Sequence, residues 1–162
     1  MRNLAYRSTL AVLCTFAALA AGCSSSSSSS SSSARDCAPQ VRDGWVRMPP
    51  PGAAASMPML AGFGRIVNTC PMPATIVGAK SPSFAGVELH ETRMVDGVNR
   101  MRPVPELRIA PDDSAVLKPG GLHLMLMRPE AKLNPGSRVV VQFELAGGGA
   151  VLGEFEVRKA EP

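Results

Sequence analysis

The sequence is poor in aromatic residues, and this scarcity excludes one large class of partners. Phe, Tyr and Trp together make up 4% of the 162 residues, with one Trp and one Tyr. The basic residues are scattered along the chain and do not alternate with aromatic ones. Proteins that bind single-stranded nucleic acids stack bases on aromatic side chains inside a basic groove. Nucleic acid is therefore not an expected partner.

Long hydrophobic runs are also missing, apart from one short stretch near the start. Residues 10–21 are apolar but too few to span a membrane, and Arg2 and Arg7 precede them, which is typical of a secretory signal peptide. The stretch ends at Ala20-Ala21-Gly22-Cys23, which resembles a bacterial lipobox. We expect residues 1–23 to be the signal and Cys23 to be lipidated. A signal cleaved without lipidation is the alternative.

Ten consecutive serines, residues 24–33, follow Cys23. Such a run cannot bury a hydrophobic core and behaves as a flexible linker. We therefore divide the exported chain into a linker at residues 24–37 and one domain at residues 38–162. The expected location is the periplasm, with a lipid anchor in the membrane. A serine directly after the lipidated cysteine is typical of many lipoproteins of the outer membrane, so that membrane is favoured.

The domain shows no helical periodicity and consists of short apolar runs separated by Gly and Pro, of which the chain has 15 each. Many short strands at regular spacing predict an all-β fold, an antiparallel sandwich or barrel. The predicted strands lie at residues 64–67, 74–77, 87–94, 98–104, 106–109, 115–117, 122–127, 137–145 and 150–157.

Histidine is scarcer than the aromatic residues, and both histidines fall into one group with two methionines. The group is His90, Met101, His123 and Met125, separated by ten, twenty-one and one residues. Imidazole nitrogen and thioether sulfur form a soft, uncharged ligand set, which suits Cu(I) and does not suit Mg²⁺ or Ca²⁺. These four residues are therefore candidate copper ligands. The alternative is that the methionines fill the core and the histidines are solvated.

Strand alternation predicts how part of this group comes together. Asp96-Gly97 favours a two-residue hairpin turn, and this turn pairs Thr92 with Met101. His90 and Met101 then lie diagonally on one face of the sheet. His123 and Met125 likewise share the face opposite to Leu122, Leu124 and Leu126. Because the leucines face the core, we expect the four ligands to matter for copper much more than for folding.

The pattern His-x10-Met-x21-His-x-Met resembles the signature of the periplasmic copper chaperones of the PCu(A)C family. The resemblance covers residues 41–157 and includes these segments: Asp43-Gly44-Trp45-Val46-Arg47, Val87-Glu88-Leu89-His90-Glu91, Asp96-Gly97-Val98, Met101-Arg102-Pro103-Val104, and Lys118-Pro119-Gly120-Gly121-Leu122-His123-Leu124-Met125.

The resemblance implies a cupredoxin-like antiparallel β-sandwich with Greek-key connections. It implies one Cu(I), bound by His90, Met101, His123 and Met125. It also implies delivery to a copper-receiving protein, the copper centre of cytochrome c oxidase or its assembly factors. We expect a monomer. Some members carry a His- and Met-rich C-terminal tail linked to Cu(II); this chain has none, so we do not expect a second copper site of that kind.

Two cysteines remain once Cys14 is lost with the signal and Cys23 is acylated. Cys37 and Cys70 form an even pair in an oxidising compartment, which predicts a disulfide between them. A thiolate copper site is the alternative. No cysteine follows Cys70, which disfavours electron transfer at a blue-copper centre, since that centre needs a thiolate with two histidines.

Three functions remain for a sandwich of this kind. The first is a copper carrier, the second a copper electron-transfer protein, and the third a metal-free adhesion or assembly module. An enzyme is not expected, because two ligand histidines leave no histidine base and no paired carboxylates or serine nucleophile can be recognised. Met57, Met59, Met94 and Met127 could add a soft entry surface for copper, with Met57 and Met59 expected in a loop; surface or packing roles are the alternative.

Overall fold

The computed structural model describes residues 37–49 and 59–159, and all regular secondary structure in these residues is β-strand. No helix in this part of the chain is long and apolar enough to cross a membrane. The ten strands are β1 (Gln40–Arg47), β2 (Met59–Asn68), β3 (Ala74–Lys80), β4 (Phe84–Val95), β5 (Val98–Pro103), β6 (Leu107–Ile109), β7 (Asp113–Leu117), β8 (Leu122–Pro129), β9 (Arg138–Leu145) and β10 (Ala150–Arg158).

The nine predicted strands correspond to β2 through β10, whereas β1 was missed. Its pairing with β2 shifts register between Arg42 and Trp45, and Asp43 has a left-handed φ of 53°. Such a bulge interrupts the alternation by which a strand is recognised in a sequence. A second difference concerns Met59, which was expected in a loop. It is the first residue of β2 and pairs with Met127 of β8.

The strands form one continuous sheet that closes on itself. Its order is β5-β4-β8-β2-β1-β10-β9-β3-β6, and an additional contact between β3 and β4 completes the circle. The long strand β4 has β8 on one side, and on the other it contacts β3 at Val87 and β5 from His90 onward. The end of β4 therefore extends beyond the closed part of the sheet and forms a hairpin with β5.

One pair of strands departs from the predicted antiparallel arrangement. β1 and β10 run parallel, with Gly44 opposite Phe155 and Val46 opposite Val157. Parallel neighbours cannot be joined by a tight turn, and here the pair joins the first and the last strand of the domain. Gly44 is required at this contact because a Cβ atom there would collide with the backbone oxygen of Glu154.

The core lies inside the closed sheet and follows strand alternation. Val87 and Leu89 of β4 and Leu124 and Leu126 of β8 are buried in it, as predicted. Burying side chains of this size contributes about 1.5–3 kcal/mol each, so the inner face fixes the register of both strands. Phe63 is also buried, but it lies outside the core cluster, on the other face of β2.

A disulfide and a buried asparagine order the chain around the end of β2. Cys37 and Cys70 form the predicted disulfide, with their Cα atoms 5.7 Å apart. Next to it, the buried side chain of Asn68 donates from Nδ2 to the backbone oxygens of Met72 and Ala110, at 2.9 and 3.0 Å. Its Oδ1 accepts a hydrogen bond from the backbone N–H of Cys70 at 3.1 Å. This polar cluster orders the connection between β2 and β3.

Candidate metal centre

The pairing of β4 with β8 brings the two histidines together on the outer face of the sheet. Leu89 is opposite Leu124 in the core, so the next pair along, His90 opposite His123, points away from it. The two imidazole rings have centroids 6.2 Å apart and are inclined by 50°. The sequence predicted that both strands carry ligands on one face, and the structure adds that these strands are neighbours.

The two methionines lie on opposite flanks of this histidine pair. Met125 follows His123 by two residues on β8, opposite Glu88, and is half-buried. Met101 lies on β5 opposite Thr92, as the hairpin register predicted, and its side chain is 51% exposed. His90 is thus the central member of the group, with a diagonal methionine on each neighbouring strand.

His123 is positioned with one ring nitrogen tied to the backbone. Its Nδ1 donates a hydrogen bond to the carbonyl oxygen of Gly121 at 2.8 Å, because a carbonyl can only accept. This bond leaves the lone pair of Nε2 free. A metal-binding histidine is commonly oriented by such a bond from its other nitrogen. The residue is only 7% exposed and packs near Phe63, with ring centroids 6.5 Å apart.

His90 has the complementary arrangement. Its Nε2 donates to a carboxylate oxygen of Glu88 at 2.8 Å. Its Nδ1 is buried and has no hydrogen-bond partner, the one such side-chain atom among residues 37–49 and 59–159. An unpaired buried polar atom costs about 1–3 kcal/mol, so native proteins rarely keep one without a role. Glu88 was not singled out from the sequence, although its position two residues before His90 places it on the same face.

Together the two histidines present one free nitrogen each, on the sheet face that also carries Met101 and Met125. This set could hold a soft monovalent ion and fits Cu(I) by ligand type. No group of three or more His, Cys, Asp or Glu side chains within the described ranges could hold a metal. Cys37 and Cys70 are bonded to each other, so the thiolate alternative is wrong.

The burial of His123 changes one expectation. The ligands were expected to matter little for folding because they lie on the outer face. The exposed position of Met101 agrees with this expectation. His123, however, is buried between Phe63 and the backbone of Gly121. Removal of its side chain would leave a cavity beside Phe63, so His123 has a structural role as well.

An aromatic and cationic row continues from His123 along the outer face. Trp45 packs on Phe63 with ring centroids 4.6 Å apart. Arg47 lies over the Phe63 ring at 5.2 Å and Arg158 over the Trp45 ring at 5.8 Å. These cation–π contacts cover the rings that support His123. The row depends on β1, the strand that the sequence did not predict.

Charged side chains occupy the other face of the β4–β5 hairpin. Glu91 contacts Arg93 Nε at 2.7 Å and Arg102 at 3.2 Å. The hydrogen bond from Arg93, followed by that from Arg102, lowers the pKa of Glu91 from its usual value against the opposing effect of desolvation. The hairpin therefore presents thioethers on one face and ion pairs on the other.

Several predicted features lie outside the described residues. They are the signal at residues 1–23 with the candidate lipidation site Cys23, the serine linker, and Met57. Met94, by contrast, is described: it lies on the outer face of the hairpin and is 65% exposed. Met127 lies on the same face of β8 as His123 and Met125.

The described residues form a closed all-β domain with a His/Met group on the outer face of its sheet, and comparison with known proteins specifies the family. The family described as "Putative lipoprotein LpqE-like" matches residues 40–157. The chain belongs to this family, and the PCu(A)C resemblance seen in the sequence is confirmed. The family description is that of a lipoprotein, as the N-terminal sequence predicts.

One relative is named "Putative lipoprotein Lxx21020", from Leifsonia xyli subsp. xyli. It is 34% identical over 110 residues, which are 67% of this chain and 63% of the relative. The matched part thus spans less than two thirds of that relative's length.

Two solved structures share the fold. The copper-bound PCuAC domain from PmoF2 is 18% identical, covers 74% of this chain and 92% of its own, and superimposes with a TM-score of 0.57. The CuI-DR1885 structure from Deinococcus radiodurans is 23% identical, covers 78% of this chain and 83% of its own, and has a TM-score of 0.56. At these identities the likeness concerns the fold, and it confirms the predicted cupredoxin-like β architecture.

Proposed function

We propose that this protein is an exported carrier of Cu(I), with His90, Met101, His123 and Met125 as its ligands. The observation that carries the proposal is the opposed histidine pair: His90 is engaged through Nε2 and, among the described residues, its buried Nδ1 has no hydrogen-bond partner, while His123 is engaged through Nδ1, which leaves the lone pair of its Nε2 available. Membership of the family and the copper named in the two similar structures support it.

The chemistry of the ligand set favours transport over storage or redox work. Neutral imidazoles and thioethers leave the ion its single positive charge and include no thiolate. Binding can then be firm without preventing release. The exposed Met101 gives a partner protein access from the hairpin side, so that ligands can be exchanged one at a time.

In this proposal, copper is delivered to the copper centre of cytochrome c oxidase or to one of the assembly factors of that centre. A lipid on Cys23 would hold the domain at the periplasmic side of a membrane, with the outer membrane favoured by the serine that follows the cysteine. The serine run, residues 24–33, would give the domain the reach to meet a partner.

Metal analysis of the purified full chain tests the proposal. After loading with Cu(I) under reducing conditions and removal of excess metal, we expect the wild type to retain copper through the histidine pair. A His90→Ala variant should lose affinity for that ion. Met72→Leu, a change at a methionine that is 61% exposed in the connection between β2 and β3, outside the strands that carry the histidines, is the matched control and should behave as wild type. A wild type that retains no copper, or a His90→Ala variant with unchanged affinity, contradicts the proposal.

A further inference from the structure

Three methionines form a compact group beside the histidine pair on the outer face. Met59 of β2 is directly opposite Met127 of β8, and Met125 lies two residues from Met127 on the same face. Directly opposed side chains have Cβ atoms about 4.5–5.5 Å apart, and alternate residues of one strand are about 6.6 Å apart. Long, flexible thioether side chains at such distances can converge on one ion.

The neighbours of this methionine group are small, which leaves space for the sulfur atoms. Ala61 is the residue opposite Met125 on β2, and Gly86 is opposite Met127 on β4. A Cβ atom at Gly86 would lie 2.9 Å from the terminal methyl of Met127, so the thioether occupies the space that a side chain would fill.

Among the described residues, packing of the core does not account for the group. Met59, Met125 and Met127 are half-buried, yet none of them belongs to the core cluster or to the half-buried residues packed against it, whereas Met48 does. Three apolar side chains thus cluster on the outer face of a sheet whose inner face carries the core.

We propose that Met59, Met125 and Met127 form a second, all-thioether site for a soft monovalent ion such as Cu(I). This inference rests on the proposed function in one respect: Met125 is shared with the histidine site. Thioethers alone select soft ions, and they bind them more weakly than a set that includes imidazoles or thiolates. The methionine group then binds the ion first, and Met125 passes it to the histidines.

Titration of the full chain with Ag(I), a soft ion that does not change oxidation state, tests the second site. The chain carries [methyl-¹³C]methionine so that each thioether is followed by NMR. We expect the first equivalent to shift the methyl signals of Met101 and Met125. The second equivalent should shift those of Met59 and Met127 and move Met125 again. A second equivalent that moves Met94 and Met101 instead, or no methyl at all, overturns the inference.

Two variants separate this inference from the proposed function. Met127→Leu keeps the volume but removes one sulfur, and Gly86→Ala keeps all three sulfurs but displaces the Met127 methyl. Each should weaken binding of the second ion by about tenfold or more and leave the first step unchanged. Met72→Leu is the control for loss of an exposed thioether. If both variants retain the second step, the site is wrong; if the first step is absent in the wild type, the histidine site is wrong.

Discussion

His90 and His123 differ in which ring nitrogen they leave free, and this difference follows from local structure. His123 is held by the backbone oxygen of Gly121 through Nδ1, while His90 is held by the Glu88 carboxylate through Nε2. Fixing one nitrogen selects the tautomer and the orientation of the ring. Both rings are thereby oriented before any ion arrives, so little ordering cost accompanies binding.

Substitution of Met101 should affect Cu(I) binding much more than folding. Because its side chain is half-exposed, Met101→Ala should leave apo-protein stability within about 0.5 kcal/mol of wild type. Its Cu(I) affinity should fall at least about tenfold, since a ligand is lost. Competition with a chromophoric Cu(I) chelator measures the affinity, and thermal melting of the apo-protein measures the stability. Unchanged affinity with a collapsed fold would instead make Met101 a packing residue.

Two neighbouring residues of β8, Leu124 and His123, should differ in their effects on stability and on Cu(I) affinity. Leu124→Ala removes a fully buried core side chain and should destabilise the protein by about 2–5 kcal/mol, while the folded fraction keeps its Cu(I) affinity. His123→Ala should lower both quantities, because His123 is at once a buried packing residue and a proposed ligand. Denaturant titrations with and without Cu(I) distinguish a loss of stability from a loss of Cu(I) affinity in each variant. A His123→Ala variant as stable as wild type would contradict its structural role.

At the scale of elements, the β4–β5 hairpin is the part of the site that the sequence specifies most fully. Asp96 and Gly97 adopt left-handed φ values of 52° and 76°, as the predicted two-residue turn requires. That turn alone fixes the pairing of Thr92 with Met101. The neighbouring relation of β4 and β8 could not be predicted, because it depends on closure of the whole sheet rather than on a turn. The burial of His123, a predicted ligand, was not predicted for a similar reason: Phe63 packs near it because β2 is paired with β8.

Gly97→Ala tests how far the hairpin positions Met101. A left-handed conformation costs an alanine about 1–2 kcal/mol, so the turn should loosen and the amides of β5 should exchange faster. Cu(I) affinity should fall moderately because Met101 is less well held. The matched control is Gly147→Ala at the β9–β10 turn, where φ is not left-handed and a Cβ would meet nothing. Hydrogen exchange measures the loosening of the turn in both variants. Equal effects from the two variants would contradict the argument.

At the scale of the whole molecule, closure of the sheet and the disulfide both secure the first strand. β1 joins β2 to β10, and Cys37 before it is bonded to Cys70 after β2, 33 positions later. A disulfide that closes a loop of this length restricts the unfolded state and stabilises the fold by about 3–4 kcal/mol in the loop-entropy description. The pairing was predictable by elimination among four cysteines, whereas the parallel partner of β1 was not.

The double variant Cys37→Ser/Cys70→Ser should therefore lose about 2–4 kcal/mol of unfolding free energy. Its Cu(I) affinity should be unchanged, since Cys70 follows the end of β2 and the residues of β2 that pair with β8 are at its beginning. Denaturant unfolding of wild type under reducing conditions should reproduce the loss. Two free thiols in freshly purified exported protein would contradict the native bridge.

The predicted lipidation of Cys23 concerns the location of the molecule. If it carries lipid, Cys23→Ser should move the protein from the membrane fraction to the soluble periplasmic fraction or block its processing. Fractionation with intact-mass measurement decides this, because lipidation adds acyl chains to the N-terminal residue of the mature chain. Unchanged mass and fractionation in the variant would show that the signal is cleaved without lipidation.

X-ray absorption at the copper edge of the Cu(I)-loaded full chain tests the central claim most directly. At one equivalent, we predict a first shell that contains both nitrogen and sulfur, from the imidazoles of His90 and His123 and the thioethers of Met101 and Met125. The nitrogen contribution should decline in His90→Ala, and the sulfur contribution should decline in Met101→Ala. A shell of oxygen alone, or no copper retained by the wild type, would contradict the account.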